Sequence, residues 1–182
     1  MTIKDCAAAY QKLLNKKYIF TLEGNVSFTL EFSPAYFFHL LGLEKLTDIA
    51  QFRNAKPGKV FKDILSGKIP EQLVHNSHRY ALISERVECF VHLPDMLHYD
   101  SSNKIIVDFD VNKLGFPSKL NNTKYILYKR IENNRVCHLT IGSKQKLYPE
   151  TFIVENGSPY LSNQIMLDIL DIKIIERKTK QK

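Results

Sequence analysis

Cysteine, glycine and proline are all scarce in this sequence, and each scarcity excludes a class of protein. Only seven glycines and seven prolines occur among 182 residues, which excludes a disordered or fibrous chain. The three cysteines, Cys6, Cys89 and Cys137, are far apart and odd in number, which argues against a disulfide framework and a structural zinc site. No apolar run is long enough to cross a membrane, and the N-terminus lacks the apolar segment of a signal peptide. We therefore expect a cytoplasmic protein with no membrane partner.

Positive charge is in excess, since 26 Lys and Arg residues stand against 19 Asp and Glu residues and give a formal net charge of +7. Basic domains favour polyanions because contacts to phosphates release counterions. A plain solvated surface rich in lysine fits the same total. The charge gathers at 124–135, at Lys144 and Lys146, and at 177–182. The last of these segments is typical of a solvated tail.

The N-terminal part of the chain predicts a helix, a β-hairpin and a second helix. Alanine and leucine at near-helical spacing predict an opening helix over 3–17. Two alternating runs around Gly24-Asn25 then predict the hairpin. Ser33 as N-cap and Pro34 at the first helical position predict the second helix, which Gly42 closes as C-cap.

The rest of the chain predicts helices followed by strands. A turn at Pro57-Gly58 precedes an apolar stripe typical of a helix, another helix is expected over 70–77, and the run 80–97 fits a helix slightly better than a strand. Five strand signals separated by short polar turns follow, at 104–111, 124–131, 135–142, 150–155 and 164–176. This order predicts an α+β fold: an N-terminal helix and hairpin, a helical middle, and a C-terminal antiparallel sheet of four to five strands. We expect one domain over 1–176 and a basic tail at 177–182.

Familiar catalytic signatures are absent: the sequence has no Walker loop, GxGxxG, GxSxG or HExxH motif. His75 and His78 are three residues apart, but no nearby carboxylate or thiolate pair completes a metal-ligand set. The remaining chemistry is that of a ribonuclease that needs no metal and no cofactor, because RNA carries its own nucleophile, the 2′-hydroxyl. Such an enzyme requires a base, an acid, and donors that stabilise the charge on phosphorus.

Two histidines are candidates for the acid and the base. Strand alternation places His138 on the face opposite the core, where it could meet Lys129 or Arg130 of the preceding strand. An ordinary exposed patch on an antiparallel sheet fits this pattern equally. His39 lies among apolar residues of the predicted second helix. It is either a buried core histidine or an acid–base group that projects into the cleft beside the sheet.

The segment FTLEFSPAYFFHLLGLEKL (28–46), followed by FKDILSGKI (61–69), resembles the phage-associated branch of the Barnase–EndoU–Colicin–RelE-like nucleases. That branch carries a similar aromatic-His-Leu-x-Gly-Leu segment after an early strand. Three later features are similar to the family as well: Arg86-Val87, the strand at 105–108, and the strand at 151–155. The resemblance implies a helical layer on an antiparallel sheet and metal-independent cleavage of RNA.

Carried onto matching positions, the resemblance implies roles for three residues. His39 would act in proton transfer, Arg86 would pair with a phosphate, and Thr151 would donate its hydroxyl to it. The family helix often continues with histidine where this sequence has Glu44, so no role follows for that position. The size, basic character and nuclease-like features are also similar to a type II-A anti-CRISPR protein that truncates the guide RNA of Cas9.

The sequence therefore predicts a metal-independent endoribonuclease of a phage or mobile element, acting in the cytoplasm of a bacterial host. Its predicted partner is RNA, including Cas9-bound guide RNA, and Cas9 itself follows from the second resemblance. The predicted catalytic residues are His39, His138, Arg86 and Thr151, and the predicted RNA-binding residues are Lys129, Arg130, Lys144 and Lys146.

The alternative is a non-catalytic binding protein that blocks a nucleic-acid-binding partner such as Cas9. Clustering of the predicted catalytic residues around one groove favours the enzyme, whereas their dispersal, or burial of His39 in a dry core, favours the alternative. A transcription regulator ranks last, because no helix-turn-helix spacing with a basic second helix is present.

Overall fold

A computed structural model describes residues 1–177 of the chain. Within them the α-helices are α1 (Ile3–Gln11), α2 (Tyr36–Leu41), α3 (Ala50–Arg53), α4 (Pro57–Leu65), α5 (Glu71–His75), α6 (Ser84–Cys89) and α7 (His92–Asp95). The strands are β1 (Lys16–Leu22), β2 (Val26–Glu31), β3 (Lys104–Val107), β4 (Thr123–Arg130), β5 (Arg135–Ser143), β6 (Leu147–Asn156) and β7 (Ile165–Glu176). Short 3-10 helices lie at Glu23–Asn25, Leu43–Lys45, Tyr80–Leu82, Val111–Lys113 and Pro159–Leu161. The predicted basic tail lies outside the described residues, apart from Arg177.

The strands form one antiparallel sheet in the order β2-β1-β7-β3-β4-β5-β6. The predicted α+β class and the predicted antiparallel sheet are confirmed. The N-terminal hairpin joins the same sheet, because β7 returns across the molecule and inserts between β1 and β3. The sheet curls so that its edge strands, β2 and β6, approach each other.

The helices pack on the inner face of the curled sheet, and the main core lies between them. Four buried rings of this layer, Tyr10, Phe37, Phe61 and Phe90, pack with centroids 5.2–6.4 Å apart. Phe90 also packs edge-on against Phe152 of β6, 5.5 Å away. Aromatic pairs of this geometry add to the large apolar area that each ring buries. No helix within residues 1–177 combines the length and the apolar character that a bilayer-crossing segment needs.

A second, smaller core covers part of the sheet's outer face. Its buried members are Ile106, Phe109, Leu120, Ile126 and Leu161, drawn from β3, β4 and the loops that follow β3 and β6. This face was expected to be a solvated patch around His138, and that expectation is wrong. The loops that follow β3 and β6 fold over the outer face of β4 and β5 and shield that face from water.

Several predicted boundaries differ from the structure for local reasons. The first helix ends at Gln11 rather than at residue 17, because Asn15 adopts a left-handed φ of 59° and the chain reverses into β1. Ser33 is not an N-cap. Its carbonyl instead accepts hydrogen bonds from the Tyr10 hydroxyl and the Tyr36 amide, and α2 begins three residues later without a side-chain cap. Gly42 is the predicted left-handed C-cap, with φ 80°.

The middle of the chain is helical, as the slightly better fit of 80–97 to a helix predicted. Residues in that range form a 3-10 turn followed by α6 and α7. Pro57 is the first residue of α4 rather than part of a separate turn before it. The first predicted strand of the last third, 104–111, ends at Val107, because Asp108 has a positive φ of 45° and breaks the extended backbone.

Candidate active site

Helix α2 places His39 on the outside of the molecule. Phe37, Phe38, Leu40 and Leu41 are buried in the core, whereas the His39 side chain is 54% exposed. The interpretation of His39 as a buried core histidine is therefore wrong. Its ring packs edge-on against Phe38, with centroids 5.5 Å apart, which holds the imidazole on the core surface without removing it from solvent.

The turn after α2 brings Glu44 back towards His39. Gly42 ends the helix in a left-handed conformation, and a 3-10 turn, Leu43–Lys45, follows directly. The Oε2 atom of Glu44 lies 3.7 Å from Nδ1 of His39. The Glu44 carboxylate raises the pKa of His39, while partial burial lowers it by a smaller amount. His39 therefore holds its proton to a higher pH than a free imidazole does.

Arg86 of α6 reaches the edge strand β6 next to this turn. Its Nη1 donates a hydrogen bond to the Thr151 hydroxyl oxygen at 3.1 Å. The guanidinium passes close beneath Gly42, since a Cβ placed on that glycine would lie 3.2 Å from Nη1. The structure thus brings Arg86 and Thr151 together and sets both beside the turn that carries Glu44.

Thr151 is fixed by the neighbouring strand. Its amide donates to the hydroxyl oxygen of Thr140 at 3.1 Å, and the Thr140 hydroxyl donates to the Thr151 carbonyl at 3.4 Å. The Thr151 hydroxyl oxygen accepts from Arg86, so its own proton is available to a further acceptor. The hydroxyl and the guanidinium held in this way are adjacent hydrogen-bond donors.

The nearby Glu44 carboxylate offsets part of the positive charge of Arg86 and Lys45 without pairing with either. Among residues 1–177, neither Arg86 nor Lys45 has a carboxylate oxygen within 4.0 Å. Burial lowers the pKa of the half-buried Arg86 guanidinium, and burial and the Arg86 charge lower the pKa of Lys45. Cations removed from water are normally paired, so two neighbouring cations that form no ion pair among residues 1–177 favour an anionic ligand.

His138 occupies a different environment from the other predicted catalytic residues. It is fully buried, its Nε2 lies 2.7 Å from Oε1 of Glu155, and the ring of Tyr160 covers it at a centroid distance of 5.6 Å. Its partner across the sheet is Tyr128, while Lys129 and Arg130 stand opposite Cys137 and Val136. The predicted meeting of His138 with Lys129 or Arg130 is therefore wrong.

The four predicted RNA-binding residues form two separate groups. Lys129 and Arg130 end β4, and Lys129 is paired with Asp95 of α7 at 3.0 Å. Lys144 and Lys146 lie in the turn after β5, and Lys144 stands 5.8 Å from the ring centroid of Tyr148. The nine residues of β5 separate the groups by about 27 Å at ~3.4 Å per residue. They do not make one continuous surface.

Other chemistry has less support in the described chain. Burial raises the pKa of the Cys6 and Cys137 thiols to about 12, which keeps these sulfur atoms protonated. Within residues 1–177, no three His, Cys, Asp or Glu side chains converge as a metal-binding group.

Sequence reasoning missed Glu44 and Lys45 as members of this cluster. A signal for them did exist. A glycine predicted to end a helix in the left-handed conformation turns the next residues back towards the last helical turn. Glu44 and Lys45 are the second and third residues after such a glycine, and His39 lies in that last turn.

Comparison with known proteins gives one match. A family model described as phage-Barnase-EndoU-ColicinE5/D-RelE like nuclease4 matches residues 2–180. No curated protein and no solved structure matches the chain. The match covers nearly the whole sequence, including every element that contributes to the cluster of His39, Glu44, Arg86 and Thr151.

Proposed function

The chain belongs to the phage-Barnase-EndoU-ColicinE5/D-RelE like nuclease4 family, and on that premise we propose that it is an endoribonuclease that cleaves RNA through the RNA's own 2′-hydroxyl. Membership supports nuclease activity in general. The finer statement rests on the side chains around Arg86, which supply acid–base groups and phosphate donors. The reaction is a transesterification that needs only such groups.

The observation that carries the proposal is the Arg86–Thr151 pair. A half-buried guanidinium that has no carboxylate oxygen within 4.0 Å among residues 1–177 donates to a hydroxyl that keeps its own proton for a further acceptor. Arginine binds phosphate oxygens in a forked geometry, and the charge-assisted hydrogen bonds strengthen as negative charge develops. We assign the scissile phosphate to this pair, with Lys45 adding positive charge.

Proton transfer is assigned to the His39–Glu44 pair. The Glu44 carboxylate takes the proton of the 2′-hydroxyl as the 2′-oxygen bonds to phosphorus. His39, whose pKa the Glu44 carboxylate raises, acts in its protonated form and gives its proton to the 5′-oxygen as the bond from phosphorus to that oxygen breaks. The products are a 2′,3′-cyclic phosphate and a 5′-hydroxyl, and both groups regain their starting protonation states by exchange with solvent.

His138 has a structural role in this scheme. Full burial against Glu155 and Tyr160 separates it from any RNA on the surface. Removing the imidazole leaves the buried Oε1 atom of Glu155 without its neighbour, and an unpaired buried polar group typically costs about 1–3 kcal/mol. The two histidines predicted to share the acid and base roles are thus assigned different tasks.

Incubation of the purified protein with structured RNAs, and with Cas9-bound guide RNA, in excess EDTA tests the proposal. We expect fragments ending in a 2′,3′-cyclic phosphate, and no cleavage of a substrate with a 2′-deoxynucleotide at the scissile position. His39→Ala should lower the rate by about 10²–10⁴-fold, the usual effect of losing a positioned acid or base, because this side chain is exposed and its loss leaves the core intact.

His138→Ala is the matched comparison. It should lower thermal stability while the folded fraction retains near-normal activity. Full activity in folded His39→Ala would remove the proposed acid, and the absence of cleavage of every RNA tested would favour the non-catalytic binding protein.

A further inference from the structure

A shallow groove lies between the start of α2 and the start of α4. It encloses about 680 Å³, and its floor is built from small apolar side chains. Pro34 and Ala35 line one wall, and Ala55 and Pro57 line the other. The two helix starts approach each other at Gly58, where a Cβ would lie in ordinary van der Waals contact, 3.8 Å from Cβ of Pro34.

The rim of this α2–α4 groove is positively charged. Lys56, Lys59 and Lys62 line it and no carboxylate does. Lys59 is paired with Asp63, which faces the adjoining cavity of about 560 Å³. Lys56 and Lys62 are exposed, and neither has a carboxylate oxygen within 4.0 Å among residues 1–177. That adjoining cavity is also lined by Lys56 and Lys59, and it adds Lys68.

The groove leads to the candidate active site along one face of α2. Ala35, which lines the groove, already has helical backbone angles of φ −70° and ψ −31°. It lies four residues before His39, and residues at this spacing share a helix face. Both residues are exposed. His39 therefore follows Ala35 on the same face, about 6 Å further along the helix axis.

We propose that the α2–α4 groove binds the RNA strand on one side of the scissile phosphate, with Lys56 and Lys62 contacting phosphates and the apolar floor contacting riboses and bases. This inference rests on the proposed ribonuclease function. Single-stranded nucleic acid is bound by grooves that combine cations along the backbone with apolar contact to the bases. The lysines on the rim, with no acidic residue among the lining side chains, complement a polyanion. Because the groove lies beside His39, the polyanion it binds is the substrate of that site.

The closing experiment separates binding from cleavage. RNA in which every 2′-hydroxyl is methylated cannot be cut, so its affinity reports binding without cleavage. Lys56→Gln/Lys62→Gln should weaken this binding by about tenfold or more, and should lower the slope of log K against log salt by about 1.4, from ~0.7 for each lost phosphate contact. The matched control is Lys124→Gln/Lys173→Gln, which removes two exposed sheet lysines and should leave both values unchanged.

Cleavage of ordinary RNA completes the test. The groove variant should show a raised KM and an unchanged kcat, since it leaves His39, Glu44, Arg86 and Thr151 in place. If the double variant folds poorly, Lys62→Gln alone provides the same comparison. Its expected change in salt slope is about half that of the double variant.

The outcomes keep the two proposals apart. If the wild type cuts RNA and the groove variant binds and cuts as well as the control, the groove assignment is overturned and the ribonuclease stands. If the wild type binds but never cuts, while the groove variant loses affinity, the groove stands and the ribonuclease is overturned. If the groove variant keeps its RNA affinity but loses binding to poly-glutamate, the groove binds an acidic protein and the proposal is overturned.

Discussion

At the scale of single residues, the charge state of His39 depends on one neighbour. Glu44 raises the pKa of His39, so Glu44→Gln should lower that pKa. A raised pKa keeps the imidazole protonated to higher pH; removing its cause therefore moves the basic limb of the residual cleavage profile to lower pH. Titration of the His39 ring protons by NMR measures this directly, without relying on activity.

Glu85→Gln is the control, because it removes an exposed carboxylate of α6 that forms no ion pair among the described residues. It should leave the His39 titration where it is in the wild type. An unchanged His39 pKa in Glu44→Gln would show that the 3.7 Å contact is not maintained in solution.

The family resemblance that selected His39, Arg86 and Thr151 from the sequence is confirmed, and the catalytic roles of these residues stay predictions. Strand alternation correctly separated His138 from the core side of β5, yet it could not show that two distant loops bury the other side. Alternation identifies the face of a strand but carries no information on what covers that face.

At the scale of elements, the turn after α2 connects fold and site. Gly42 has a φ of 80°, where an alanine costs about 1–2 kcal/mol. A Cβ there would also meet Cγ2 of Ile83 at 3.1 Å and Nη1 of Arg86 at 3.2 Å. Gly42→Ala should therefore destabilise the protein and displace the guanidinium from Thr151, lowering both the urea midpoint and the cleavage rate of the folded protein.

Gly67→Ala is a close control. Gly67 has a similar φ of 76°, but a Cβ there would have no atom within 4 Å. It should carry the conformational cost alone and leave cleavage unchanged. If the two variants lose equal stability and equal cleavage rate, the contact between Gly42 and Arg86 does not contribute to function.

Elements with a strong local signal were predicted well, and those that depend on distant partners were not. The hairpin around Gly24-Asn25 and the left-handed end of α2 are encoded by residues that tolerate positive φ. The start of α2 was misplaced because the Ser33 carbonyl is used by Tyr10, a residue of another helix. A capping rule cannot anticipate such competition.

At the scale of the whole molecule, neither the grouping of basic residues nor the order of strands in the sheet follows the order of the sequence. The pairs Lys129–Arg130 and Lys144–Lys146 are close in sequence, yet they lie near opposite ends of β5. The lysines of the α2–α4 groove stood out in no predicted cluster. Their grouping arises because two helix starts meet, and only the fold determines that meeting.

The position of β7 is the topological feature that sequence could not provide. Its alternating pattern identified a strand, but pairing partners are not encoded in the pattern of one strand. Seven strands in chain order suggest a hairpin followed by a separate meander. The structure instead places the last strand between β1 and β3, so that the two ends of the chain close one sheet.

This insertion makes the end of the chain essential to the fold. β7 pairs with β1 over most of its length and with β3 at its start, and it buries Ile169 and Ile172 in the main core. A chain ending at Gln164 would expose two unpaired strand edges and lose those side chains, and exposed edges of this kind promote aggregation. We therefore expect that chain to be insoluble, or to lack a cooperative thermal transition by circular dichroism. A chain ending at Arg177 keeps all seven described strands and should melt as the full-length protein does. Cooperative melting with native near-UV dichroism in the chain that ends at Gln164 would show that the helical layer and the other six strands fold without β7.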